Sequence, residues 1–202
     1  MLEEKKNQFK KDYTAMKNYL LGREYHLALR VLVFALKYHT GMRKDGVTPE
    51  FQHQLRISFS ILNLRGVVNE ELCLCLAFLH DTAEDYGVSH ALLATEFGEV
   101  IATKVCILDK GQHKNDDEYF TAIERDIDCS IVKGADNLDN IQSMVNAFSK
   151  EKMGTYMSRT KTQILPMLKN ASNNFPVQTF SYCGLRTTLK NQLLLYTAIC
   201  GV

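Results

Sequence analysis

The residues best suited to chemistry in this sequence form the string HDTAED at positions 80–85. His80 and Glu84 are four positions apart, as are Asp81 and Asp85, so on a helix each pair would lie on one face. The string follows a strongly apolar run and is predicted to end the helix which that run forms. Carboxylates at a helix C-terminus are unfavourable, and a bound cation would relieve them. The whole string is expected by chance about 0.001 times in such a chain, so it predicts a functional site.

A second string, KGADNLDN at positions 133–140, places Asp136 and Asn140 on one face of another predicted helix. A third helix, predicted to begin near Thr48, carries a further histidine. Two imidazoles and two carboxylates form a mixed nitrogen and oxygen set that suits Mn²⁺, Fe²⁺ or Zn²⁺, and the lack of thiolates argues against a structural zinc site. The predicted metal ligands are His53, His80, Asp81 and Asp136.

Apolar residues recur at helical spacing almost throughout, without the sustained alternation typical of strands, so the sequence predicts an all-α helical bundle. The turn chemistry gives boundaries. One helix is predicted between Thr48 and Gly66, one from Asn69 to Gly87, and a short one between Ser89 and Gly98. Further helices are expected at about 99–109, 116–128, 130–147, 155–172 and 181–200.

The composition indicates one ordinary domain spanning residues 1–202, since 202 residues with 46% hydrophobic content can bury a single core. The 24 basic and 23 acidic residues nearly cancel, which makes nucleic acid an unexpected partner. No apolar run approaches the ~20 residues that span a bilayer, so no membrane association is expected. Six cysteines without a Cys-x-x-Cys pair favour a cytoplasmic location.

The ordered motifs resemble those of the HD-domain metal-dependent phosphohydrolases, most closely the RelA/SpoT-type hydrolase domains and the small stand-alone alarmone hydrolases. The resemblance covers about residues 20–150, and the C-terminal helices within 151–202 are expected to complete the fold or to form an oligomer face. The matching segments are ALKYHTGMRKDG at 35–46, FQH at 51–53, AFLHDTAED at 77–85, EFG at 96–98 and KGADNLDN at 133–140.

The resemblance implies a reaction in which a metal-activated water removes pyrophosphate from the 3′ position of guanosine tetra- or pentaphosphate. It implies one Mn²⁺ on the four predicted ligands, with Glu84 and Asp85 handling the protons of the attacking water. It also implies a nucleotide site lined by Arg43, Lys44 and Asn140, with Arg43 over the base. Since no synthetase motifs follow, hydrolysis alone is expected.

Several residues depart from that family's pattern. Met42 replaces a glutamine, Gln54 replaces a proline, and Asn137 and Asp139 replace the arginine and histidine of the commoner string Asp-Arg-Leu-His-Asn. If Asn137 and Asp139 faced the substrate, they would weaken its phosphate attraction. Two alternatives therefore stay open: hydrolysis of another nucleotide, such as an adenine alarmone or a deoxynucleotide, or a catalytically silent nucleotide-binding or antitoxin-like module.

Two further expectations concern residues outside these motifs. The polar segment 110–114 is expected to supply additional phosphate contacts beside the site. The remaining histidines are not expected to bind metal; they are His26, His39, His90 and His113.

Overall fold

The computed structural model describes residues 2–200, apart from the side chains at positions 146, 199 and 200. All regular elements in this part of the chain are helices, which confirms the predicted all-α fold. The ends of the predicted domain at positions 1, 201 and 202 lie outside the described residues. The α-helices are α1 Leu2–Gly22, α2 His26–Leu36, α3 Gln52–Leu62, α4 Glu70–Leu79, α5 Thr82–Tyr86, α6 His90–Phe97, α7 Glu99–Leu108, α8 Asp116–Glu124, α9 Ile127–Ser143, α10 Lys150–Arg159, α11 Leu165–Asn174 and α12 Thr179–Cys200.

Helix α4 is the centre of the fold. Every residue from Cys73 to Leu79 is fully buried, and a helix that is apolar on all sides is stable only when other helices surround it. It packs against α2, α3, α7 and α9, while α3 and α9 also pack against each other. The C-terminal end of α4 therefore meets α3 and α9 inside the bundle.

The last three helices complete this core. Helix α12 packs against α9 and α11, and its Leu189 is fully buried, whereas Leu194 is 70% exposed. Helices α10 and α11 are joined by a π-helical segment, Thr160–Ile164, which contacts α9. Within the described residues, no helix combines the length and apolar character that crossing a membrane requires.

The predicted start of α3 at Thr48 is wrong. The carboxylate of Asp45 accepts hydrogen bonds from the backbone N–H groups of Val47 and Thr48, at 2.9 and 2.8 Å, and from the Thr48 hydroxyl. Asp45 thus offers this backbone a local alternative to a helix. The following Pro49 pairs with Met42 in an isolated bridge, and α3 begins only at Gln52.

Helix α9 begins at Ile127, earlier than predicted, because Asp126 caps it. Oδ1 of Asp126 accepts from the N–H groups of Asp128 and Cys129 at 3.0 and 2.9 Å, and Oδ2 pairs with Lys104. Burial opposes ionisation of Asp126, but these N–H groups and Lys104 hold its pKa below the ordinary aspartate value.

Replacing Asp126 by alanine is expected to lower the free energy of unfolding by about 1–2 kcal/mol at pH 7, as loss of a helix cap does. Because the folded-state pKa is lowered, the stabilisation is complete above the unfolded pKa of about 3.9 and is lost as pH falls from there through the lower folded-state pKa. Urea unfolding at pH 7 and pH 3 should therefore give a difference between wild type and variant that shrinks at pH 3. A pH-independent difference would contradict the ionic part of this assignment.

Candidate metal centre and adjoining cavity

Three segments of the bundle bring the four predicted metal ligands together. His53 lies in the first turn of α3, and Asp136 lies in the middle of α9. His80 and Asp81 lie in the turn that follows α4. Because α3, α4 and α9 pack against one another in pairs, the four side chains converge at the C-terminal end of α4.

The spacing of the string at positions 80–85 predicted that it ends a single helix, and this prediction is wrong. Helix α4 ends at Leu79, and Asp81, with φ −100° and ψ −3°, precedes the short helix α5. The hydroxyl of Thr82 donates to the Leu79 carbonyl at 2.7 Å and stabilises the turn. The break leaves His80 buried and Asp81 about a third exposed, whereas the following two acids are exposed.

The ligand atoms of this cluster lie close together. Nε2 of His53 is 3.3 Å from Oδ1 of Asp136 and 3.9 Å from Oδ2 of Asp81. Nε2 of His80 is 2.8 Å from Oδ2 of Asp81 and 3.9 Å from Oδ1 of Asp136. One ligand atom each of His53, His80 and Asp136 lies within 4.8 Å of the others, and all three residues are buried. The cluster can therefore hold a metal ion.

Both imidazoles hold Nδ1 in a hydrogen bond, which leaves Nε2 as the nitrogen that can bind a metal. Nδ1 of His80 lies 2.9 Å from the Ala77 carbonyl, which can only accept, so Nδ1 carries the proton. Nδ1 of His53 lies 2.6 Å from Oδ2 of Asp139 and donates to it. In the neutral rings the lone pair of each Nε2 thus faces the cluster.

Nε2 of His80 is buried and makes no hydrogen bond. Asp81 lies at ion-pair distance from this nitrogen but is not aligned as a hydrogen-bond partner. A buried polar atom without a hydrogen bond is costly unless another group satisfies it. Together with the surrounding carboxylates, this nitrogen shows that the residues present fit a divalent cation.

The charges around the cluster are strongly coupled. Burial opposes a proton on His80, but the charges of Asp81 and Asp136 raise its pKa to about 9. Burial likewise opposes the charge on Asp136, yet the charge of Lys133, whose Nζ lies 2.9 Å from Oδ2, holds the pKa of this carboxyl well below its usual range. Asp136 is therefore a carboxylate at neutral pH.

Adding Mn²⁺ to metal-stripped protein is expected to raise the melting temperature by several degrees. A ligand that binds only the folded state at 100 times its Kd stabilises that state by about 2.7 kcal/mol. Scanning fluorimetry with Mn²⁺ and, as matched control, Ca²⁺ measures this. Ca²⁺ prefers six to eight oxygen ligands and should shift the transition little. Equal shifts for both ions would contradict a site that contains imidazole.

A cavity of about 550 Å³ opens beside the cluster. Asn140 connects the two: its Nδ2 donates to Oδ1 of Asp136 at 2.6 Å, and its Oδ1 accepts from Nη2 of Arg43 at 3.1 Å. Of the residues predicted to act on substrate or water, Arg43, Lys44, Asp85 and Asn140 line this cavity. Glu84 is exposed and is not part of the lining.

Two aromatic rings on the far wall were not singled out as site residues from the sequence. Phe148 and Tyr156 line the cavity with ring centroids 5.5 Å apart, and Nζ of Lys44 and of Lys152 lie 5.3 and 4.4 Å from the Phe148 centroid. Partial burial and the charge of Lys152 lower the pKa of Lys44. Lys44 lines the cavity, and within the described residues it forms no ion pair, so it can meet an anion there.

Asn137 and Asp139, which depart from the family's pattern in the string at positions 133–140, do not weaken the cavity's attraction for phosphate in the expected way. Asn137 is buried and accepts a hydrogen bond from the Thr160 hydroxyl at 3.0 Å, so it faces the π-helical segment. Asp139 is also buried and pairs with Arg56 as well as His53, which compensates its charge. Asp139 was missed as a contributor to the site because its partners lie far away in the sequence.

The polar segment 110–114 does not reach the cavity, contrary to expectation. Nζ of Lys110 pairs with Asp116 at 2.7 Å, and Nε2 of His113 lies 3.1 Å from the Ile107 carbonyl. These side chains are used within their own part of the surface, and none of them lines the cavity.

The histidines that were not expected to bind metal lie outside the cluster. His39 comes closest. It is buried, its Nδ1 is 3.4 Å from Nε2 of Gln54, and its ring packs edge-on against Tyr86 with centroids 4.9 Å apart. Burial and the charge of His80 lower its pKa to about 4, so His39 is a neutral neighbour of the site.

The chain is similar to a probable guanosine-3′,5′-bis(diphosphate) 3′-pyrophosphohydrolase of Synechocystis sp., with 28% identity over 152 residues. The matched segment makes up 70% of this chain but only 20% of the relative, so the chain spans a small part of that protein's length. No family model matches the chain.

Proposed function

We propose that this chain is a metal-dependent phosphohydrolase whose metal is held by His53, His80, Asp81 and Asp136. The observation that carries the proposal is the pair of buried Nε2 atoms, each in the Nδ1–H tautomer and each within 4 Å of a carboxylate oxygen. When bound there, a divalent ion would neutralise phosphate charge and lower the pKa of a coordinated water. The same proposal takes residues 1–202 as one domain.

The proposed substrate is guanosine tetra- or pentaphosphate, from which the enzyme removes the 3′ pyrophosphate with Mn²⁺ as its metal. The name of the Synechocystis relative supports this substrate. The cavity supports a nucleotide more generally, because Arg43 and Lys44 offer positive charge beside the Phe148 ring. An arginine can stack on a base, and a lysine can meet a phosphate as a point charge.

The residues around the cavity would share the remaining work. Asp85 is the carboxylate best placed to accept a proton from the attacking water, since it lines the cavity, while the exposed Glu84 would assist from outside. Asn140 would hold the carboxylate of Asp136 and the guanidinium of Arg43 in fixed relation. This arrangement would place a charged substrate beside the four metal ligands while all four remain free to bind the metal.

The experiment measures phosphate and pyrophosphate release from ppGpp, ppApp, nucleoside triphosphates and deoxynucleotides with added Mn²⁺, for wild type and Asp81→Ala. Pyrophosphate from ppGpp, lost in the variant, is the expected result. Release from an adenine alarmone or a deoxynucleotide would keep the metal centre and replace the substrate. A protein that binds metal and nucleotide but releases nothing would contradict enzymatic function and favour a regulatory, antitoxin-like module.

A further inference from the structure

Asp139 is the middle member of a hydrogen-bonded chain that leads from Arg56, at the cavity, to the proposed metal ligand His53. Arg56 holds its carboxylate at both oxygens, with Nε on Oδ1 and Nη2 on Oδ2 at 2.9 Å. The same Oδ2 accepts from Nδ1 of His53 at 2.6 Å. The side chain of Asp139 is only 2% exposed, whereas that of Arg56 is 32% exposed and reaches the cavity. Such a two-point clamp fixes the plane of the carboxylate.

These hydrogen-bonded residues also fix how α3 is positioned along α9. His53 and Arg56 are three residues apart on α3, and Asp136 and Asp139 are three apart on α9, so each pair lies on one face. Nε2 of His53 faces Asp136 at 3.3 Å, and one turn further along Arg56 faces Asp139. Asp139 connects these two interhelical contacts because it contacts His53 as well. A metal ligand from each helix thus has a neighbour that ties the helices together.

The positive charge of Arg56 allows Asp139 to remain ionised although it is buried. A buried carboxylate without a cation would be costly, and removing one partner of a buried pair is strongly unfavourable. Histidine, which the commoner Asp-Arg-Leu-His-Asn string has at this position, could not form the two-point clamp with an arginine. The pairing therefore belongs to this chain's own residues at positions 56 and 139.

We propose that Asp139, clamped by Arg56, is a positioning residue that holds His53 in the Nδ1–H tautomer with Nε2 directed at Asp81 and Asp136. The inference rests on the proposed function only in taking His53 as a metal ligand. Carboxylates that bind the second nitrogen of a ligand histidine fix both the tautomer and the ring orientation. Asp139 would therefore act on the metal centre through His53, without binding the metal itself.

The test measures metal affinity and the tautomer of His53 in wild type, Asp139→Asn and Asp139→Ala. Titration with Mn²⁺ alone gives the affinity, which should fall about 10–100-fold in both variants. Nitrogen-15 NMR of labelled histidine in metal-stripped protein gives the tautomer. Wild-type His53 should be protonated at Nδ1, and Asp139→Ala should give a mixture of both tautomers. Hydrolytic activity is a poor readout here, because Asp139 and Arg56 also line the cavity.

The matched control is Asp126→Asn, which removes the charge of another ion-paired aspartate, the residue that caps the start of α9. It should lower stability and leave both the Mn²⁺ affinity and the His53 tautomer unchanged. If Asp139→Ala does not fold, Arg56→Gln replaces a side chain that is about a third exposed and should still weaken Mn²⁺ binding by loosening Asp139.

Three results would overturn the positioning role: affinities within twofold of wild type in the folded variants, an Nε2–H tautomer for His53 in wild type, or a tautomer that Asp139→Ala leaves unchanged. Failure of wild type to bind any metal would overturn the proposed function instead. The NMR result would still decide whether Asp139 sets the tautomer, because that measurement uses metal-stripped protein.

Discussion

Replacing His80 by alanine is expected to lower metal-dependent turnover on the order of 10³-fold. A catalytic metal contributes several kcal/mol of transition-state stabilisation, and each 1.36 kcal/mol corresponds to a factor of ten. His80 supplies a buried nitrogen that makes no hydrogen bond within the protein, so its loss removes a metal ligand. Turnover and Mn²⁺ affinity should therefore fall together in steady-state kinetics and metal titration.

The same substitution should lower the stability of metal-stripped protein by about 2–5 kcal/mol, the cost of truncating a buried side chain to alanine through lost contacts and the cavity left behind. The ion pair of His80 with Asp81, whose Oδ2 lies 2.8 Å from Nε2, is lost as well. In urea unfolding, a loss well above about 5 kcal/mol would show that His80 is chiefly structural.

His90→Ala is the matched control for this prediction. His90 is 41% exposed at its side chain, and its Nε2 lies 3.2 Å from Glu99 on the surface, where such pairs contribute about 0–1 kcal/mol. The control should keep wild-type turnover and wild-type Mn²⁺ affinity. Unchanged turnover in His80→Ala as well would mean that the reaction uses a different centre.

The features that were predictable from the sequence are those encoded locally. Helical periodicity gave the all-α fold, and Ser89 with Gly98 correctly bounded α6, because each signal lies within a few residues of the structure it controls. The types and spacing of residues in the two strings also picked out side chains that meet in space. His53 and Asp136 meet because the helices that carry them are central to the core.

The features that escaped prediction depend on contacts between distant or competing residues. Arg56 and Asp139 are 83 positions apart, and nothing in either neighbourhood marks them as partners. A turn forms where the sequence predicted a helix start at Thr48, because the Asp45 carboxylate accepts hydrogen bonds from the backbone N–H and the hydroxyl of Thr48. Periodicity also could not show that the helix breaks after Leu79, since the residues on both sides of the break are compatible with a helix.

Replacing Asp85 by asparagine is expected to lower kcat by about 10²–10³-fold while leaving Mn²⁺ affinity within twofold of wild type. A positioned general base contributes about 10²–10⁴-fold, and asparagine keeps the size of the side chain but cannot accept the proton. Asp85 lines the cavity beside the cluster but supplies none of its close ligand contacts. The loss should therefore fall on kcat, with KM and metal content nearly unchanged.

The pH dependence of kcat distinguishes Asp85 from Glu84. Partial desolvation at the cavity wall and the charges of Asp81 and Glu84 raise the pKa of Asp85 above its ordinary value. Because the ionised form accepts the proton, kcat in wild type should fall as pH drops through this raised pKa, and Asp85→Asn should lose that limb. Glu84→Gln is the matched control and should retain it, since Glu84 is exposed and outside the cavity lining. If Glu84→Gln lost the limb and Asp85→Asn kept it, Glu84 would be the base and α5 would have to turn towards the substrate.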